Sequence, residues 1–237
     1  MKRPAYYAPV GSLWGDLVAL LHPPYTAWHL SYVAMGAALA SRIDWLVLAG
    51  TLVAFFLGTG IAAHALDERS GRPLHTSLSD RSLTLLGVGG LAGSLVVAAI
   101  GAARLSPWVL AWAVAGVLLA AGYALETPSA LHTTLGFGLA WGGFPVLVGF
   151  WAQTLTVTFG AISVAGAATL ISMAQRALST PARYVRRNTE HAEMLLSRPG
   201  ERETWDESKV LTTWERPLRL LAWAMVTLAV GMVISKL

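Results

Sequence analysis

The sequence predicts an all-α integral membrane protein, and three observations carry that expectation. Hydrophobic residues fill 55% of the 237 positions and charged residues only 13%, too few to cover the surface of a soluble domain. Apolar runs near the ~20 residues that cross a bilayer core follow one another along the chain, without the period-two alternation of a barrel strand. Basic residues also segregate. With about seven crossings, only Arg42, Arg104 and Lys236 of the 17 Lys and Arg fall on one side, so the side holding the N-terminus is read as cytoplasmic.

Taken in order, residues 11–21 read as an amphipathic helix on the membrane surface, halted by Pro23-Pro24. Asp16 interrupts that apolar run, so no cleavable signal peptide is expected. Crossings are predicted over residues 24–40, 43–66, 82–103, 107–125, 131–150, 154–175 and 217–235, forming a single transmembrane domain over 1–237. Gly89/Gly93 and Gly138/Gly142 are small-xxx-small pairs suited to close helix approach. Trp45, Trp108, Trp112 and Trp151 fall near the predicted outer ends, as an aromatic belt would. The polar segment 176–215 is read as a cytoplasmic loop. It carries a surface helix capped by Thr180, opened by Pro181 and ended before Pro199-Gly200, with Arg183, Arg186 and Arg187 on one face.

Chemistry is expected where polar groups gather at the helix ends of the basic side. Three clusters end the second, fourth and sixth crossings. The first holds His64, Asp67 and Glu68, spaced to share a helix face, with Arg69, Arg72 and His75 following. The second holds Tyr123, Glu126 and His132, and the third Gln175, Arg176 and the Arg183 helix. All three can converge on one cytoplasm-facing cavity. His22 and His29, single histidines near an interface, read as structural. The basic balance implies anionic lipid head groups or a phosphorylated lipid, with no need of a nucleic-acid partner. There is no cysteine, hence no disulfide or thiolate site, and no G-x-S-x-G, P-loop, H-E-x-x-H or Rossmann glycine pattern.

At these residues the chain resembles the UbiA superfamily of intramembrane prenyltransferases. Leu21-His22-Pro23-Pro24-Tyr25-Thr26 followed by Gly36-Ala37 is similar to that family's opening into its first helix. Asp67, followed by Arg72-Pro73-Leu74, resembles its first aspartate-rich motif, with Ala63 and His64 standing where Asn-Asp would be. Tyr123, the passage from Gly136 through Pro145 and Gly149, and Phe150 to Gln153 are also similar. The second aspartate-rich motif has no counterpart: Gln175-Arg176-Ala177-Leu178-Ser179 carries no carboxylate.

The resemblance implies a UbiA-like bundle in the cytoplasmic (inner) membrane that binds or transfers a prenyl diphosphate. His64, Asp67 and Glu68 would then be the catalytic and Mg²⁺-holding residues. Arg72, Tyr123, Glu126, His132, Arg176 and Arg183 would line the substrate site, the arginines taking the diphosphate charge. A second reading treats the mixed histidine and carboxylate set as a site for Fe, Mn or Zn in a lipid-directed oxidoreductase. A third is a non-enzymatic, lipid-binding subunit of a membrane complex.

Overall fold

Capping residues set the helix starts. The computed structural model describes residues 5–7, 12–125 and 127–237. Helix α1, Leu13–Leu21, begins where the Ser12 hydroxyl accepts the Gly15 N–H at 3.0 Å, and it ends at His22, whose φ of 45° turns the chain. Pro23 and Pro24 do not merely halt α1. They occupy the first turn of α2, Pro23–Ala38, where a missing N–H costs nothing. Asp44 caps α3, Trp45–Gly71; Ser79 caps α4, Asp80–Arg104; α5 follows over Trp108–Ala124. Thr133 caps α6, Thr134–Thr154, and Thr158 caps α7, Phe159–Asn188. After a hairpin of β1, Met194–Arg198, and β2, Glu201–Trp205, Asp206 caps α8, Glu207–Ile234.

All seven predicted crossings are thus helical. Five of the helices, α3, α4, α6, α7 and α8, are long and apolar enough to cross a membrane, and α5 is a shorter apolar helix.

The core forms around α2. Trp28, Tyr32 and Met35 pack between Val146 of α6, Ala165 and Ala168 of α7, and Ala222, Met225 and Ala229 of α8. The α2–α6 crossing has no side chain between the backbones. A Cβ on Gly36 would stand 2.1 Å from the Val146 carbonyl oxygen, and one on Gly149 2.2 Å from that of Val33. At the end of α6 remote from the basic clusters, Gln153 donates to the Asp44 carbonyl at 3.2 Å and accepts the Asp44 N–H at 2.8 Å.

Several expectations are corrected. The separate surface helix after Thr180 does not form; α7 runs through Pro181 to Asn188. Proline forfeits one helix hydrogen bond, and tertiary contacts offset it: Ala182 and Val185 pack on Leu211 of α8, and Arg186 holds Glu215. The rest of that segment is the hairpin, turned at Pro199-Gly200 with Gly200 at φ 80°. Gly89 meets no neighbour within 4 Å, so Gly90, against the Leu57 carbonyl, makes the close approach instead. Trp151 is buried and lies 5.9 Å from Trp112, so these two rings pack inward while Trp45 and Trp108 stay exposed. Gly11 lies outside the described residues.

Helix α8 has 28 residues and so measures about 42 Å, more than the ~30 Å hydrocarbon layer. Cysteines placed singly at Ser208 and Ser235, in a chain with none of its own, should label from opposite sides of intact cells. Labelling from one side only would mean that α8 does not cross.

Candidate functional site

Two helices loosen where they approach the centre of the bundle. The hydrogen-bonding of α3 becomes π-helical over Phe56–Ala63, and that of α6 over Leu139–Gly143. Such turns are rare and concentrate at functional sites. Here they present Thr59 and Ala63 from α3 and Trp141 from α6 to a shared cavity of about 130 Å³. Its inner walls are aromatic, with Trp28, His29, Phe137 and Trp141. Its mouth, on the side of the basic clusters, holds His22, Tyr25, His64, Asp67, Arg183 and Arg187.

The first predicted cluster divides. His64 and Asp67 line the cavity, but Glu68 does not. Glu68 is fully buried on the other side of α3, with both oxygens engaged. One accepts the Leu74 N–H, the other the Thr76 N–H and hydroxyl, each at 2.9 Å. It holds down the loop after α3 and does not line the cavity. Arg72 is committed to the same loop. It donates to the Leu78 carbonyl at 2.5 Å and pairs with Asp80, so its expected place in the substrate site is not supported.

The second and third clusters join into a clasp. Arg176 donates to the Tyr123 hydroxyl at 3.0 Å and to the His132 carbonyl at 2.7 Å, with its guanidinium 5.1 Å from the Phe137 ring centre. His132 Nε2 donates to the Tyr123 carbonyl at 2.9 Å and stacks on that ring at 4.3 Å. Of the three only Tyr123 reaches the cavity; His132 and Arg176 brace it from behind. Glu126 lies outside the described residues.

Arginine charge at the mouth is sorted by α8. Glu215, only 4% exposed, takes Arg186 through two hydrogen bonds, one of 2.8 Å, while Arg219 lies 3.7 Å away. Arg183 and Arg187, one turn apart, line the cavity together with Asp67. His22 and His29, single histidines read as structural from the sequence, both line the cavity. His64 donates through Nδ1 to the Gly60 carbonyl at 3.1 Å, and its ring lies 4.3 Å from that of His22. The Tyr7 hydroxyl meets His22 Nδ1. Burial first, then His64, Arg187 and Arg183, hold the His22 imidazole well below its ordinary range. Single histidines next to Pro23 or within an apolar run gave no such signal. A pairing of His22 with His64 arises only when α3 folds beside the α1–α2 turn.

A metal fits this donor set poorly. Among the described residues no three His, Asp or Glu side chains converge as ligands. With Glu68 turned away, His64 and Asp67 alone match neither Mg²⁺ clamping of a diphosphate nor a His/carboxylate site for Fe, Mn or Zn.

A second, apolar groove of about 270 Å³ opens on the side of the bundle between α3, α4, α5 and α6, among them Phe55, Val97, Val109 and Phe144. Comparison with known proteins adds no relative: no family model, curated protein or solved structure matches the chain.

Replacing Glu68 with Ala should cost on the order of 3 kcal/mol, because two buried N–H groups and a hydroxyl lose their acceptor. Thermal unfolding in detergent would show the loss, and an unchanged midpoint would refute the loop-holding role. His22 supplies a pH test. Its depressed pKa means the unfolded chain binds the proton more readily, so stability is present above about pH 6.5 and falls as pH drops below it. The unfolding midpoint should decline between about pH 7 and 5. His22→Gln should flatten that decline; an identical slope in the variant would count against it.

Proposed function

We propose that the chain is a multi-pass protein of the cytoplasmic membrane, with a UbiA-like bundle of about seven crossing helices and its N-terminus inside. Its cavity binds the head group of an isoprenoid phosphate or a related anionic lipid. The observation that carries this reading is the juxtaposition of Arg183 and Arg187 with an aromatic-walled cavity between apolar helices. Two guanidiniums suit phosphoryl oxygens, and the aromatic walls suit the apolar part of the same molecule. The bundle's exterior supports the bilayer setting: Trp108, Phe159 and Trp223 are each at least 70% exposed, a surface matched to lipid. The resemblance adds to it, since Gly36 and Gly149 make the central crossing and Asp67 stands at the cavity mouth.

Binding is favoured over metal-assisted transfer because Glu68 and Arg72 are spent on the loop after α3. The anion's charge is then met by arginine alone. Asp67 is the discriminating residue. In a metal-bridged site its carboxylate would help hold the diphosphate; beside Arg183 and Arg187 without metal it repels it.

Calorimetric titration of the purified protein with inorganic diphosphate, in chelator, tests this. Exchanging both Arg183 and Arg187 for Ala should weaken binding by at least about tenfold, while Arg202→Ala on the hairpin should not. Asp67→Asn should strengthen binding. Loss of binding in Asp67→Asn, or no binding by the native chain, would overturn the reading.

A further inference from the structure

The inner end of the cavity carries buried polar atoms with no hydrogen-bond partner among the described residues. Trp28 and Trp141 are 3% and 7% exposed, and His29 lies beside Trp141 with ring centres 5.5 Å apart. The indole Nε1 of Trp141 and Nδ1 of His29 are buried with no hydrogen-bond partner among the described residues, and the indole Nε1 of Trp28 is buried beside the Tyr32 hydroxyl, which Ala168 and Ser172 already share. All three side chains line the same cavity. A buried donor left unmet forfeits the hydrogen bond that water would have given it. Indole N–H only donates, so a group that pairs with it must be an acceptor. An uncharged acceptor suits this end of the cavity. The charged residues of the cavity are Asp67, Arg183, Arg186, Arg187 and Glu215, all from the mouth side, and the inner walls are otherwise aromatic or small. Desolvating an anion there, with no countercharge, is far costlier than desolvating a carbonyl or hydroxyl oxygen.

A route for the rest of such a molecule is present. Thr59 and Trp141 line both the cavity and the lateral groove, and each sits in one of the two π-helical turns. The two spaces therefore abut at these side chains. Beyond them the groove is walled by residues such as Gly50, Ala54, Ala98 and Gly116, which leave room for a hydrocarbon chain.

We propose that Trp28, His29 and Trp141 form a subsite for the carbonyl or hydroxyl oxygen of an uncharged lipid whose hydrocarbon tail passes Thr59 into the lateral groove. The inference rests on the bilayer setting proposed above but not on the anion at Arg183 and Arg187. It gives the cavity a second, neutral ligand group at its opposite end.

The test compares two probes that differ only in oxygen. Protein in lipid nanodiscs is loaded with a tritiated long-chain methyl ketone, which is displaced by the unlabelled ketone or by the alkane of equal length. The ketone should displace about tenfold better than the alkane. Trp141→Phe should abolish that preference while displacement by the alkane persists, which also reports that the variant is folded. Trp108→Phe, on the exposed rim, should keep the preference. The double exchange of Arg183 and Arg187 for Ala should lose inorganic diphosphate and keep the ketone preference, so the two readings fail separately. No saturable ketone binding, equal displacement by ketone and alkane, as when water satisfies the indoles, or a preference that survives Trp141→Phe would each overturn the proposal.

Discussion

The contact between α2 and α6 fixes the geometry of everything around it. At Gly36 and Gly149 the two backbones touch, so neither helix can rotate or slide without bringing a side chain into the gap. Trp28 and His29 lie about two turns before Gly36 on α2, and Trp141 about two turns before Gly149 on α6. Locking the crossing therefore locks the three aromatic side chains at the inner end of the cavity. Tyr32, between them and the crossing, extends the constraint to α7. Its hydroxyl donates to the Ala168 carbonyl at 3.3 Å and accepts from Ser172 at 3.2 Å.

Around that fixed point the bundle separates two kinds of electrostatic environment. At the mouth, Glu215 pairs with Arg186, and Arg183 and Arg187 line the cavity with Asp67. At the inner end the buried polar atoms include ring nitrogens of Trp28, His29 and Trp141. The π-helical turns in α3 and α6 lie on this boundary, and the wider turn lets Thr59, Ala63 and His64 face one cavity. Because mouth and interior have different chemistry, an elongated molecule with one charged end has one favourable orientation there.

The helices were legible in the sequence because hydropathy reports on single segments. Ser12, Asp44, Thr133 and Asp206 cap helices in the structure, while the one cap read from the sequence, Thr180, lies inside α7. What escaped was decided between segments. Asp67 and Glu68 are neighbours, yet about 100° apart around α3, so one reaches the cavity and the other the loop beneath it. Pro181 was read as a beginning because local preference says so, while burial of Ala182 and Val185 against α8 carries the helix through. The π-helical turns leave no compositional mark. His22 and His29 were set aside for the same reason: a histidine's neighbours in space, not in sequence, decide its role.

One consequence of the core arrangement concerns biogenesis. The apolar face of α2 that carries Trp28, Tyr32 and Met35 is completed by Ala222, Met225 and Ala229 of α8, so an early helix depends on a much later one. During synthesis that face must remain uncovered, or be shielded by lipid or an insertion factor, until α8 leaves the ribosome and partitions into the bilayer. The same late step brings Glu215 to Arg186. Arg186 therefore lacks its carboxylate in the nascent chain, and in that interval anionic head groups are natural counter-ions for it.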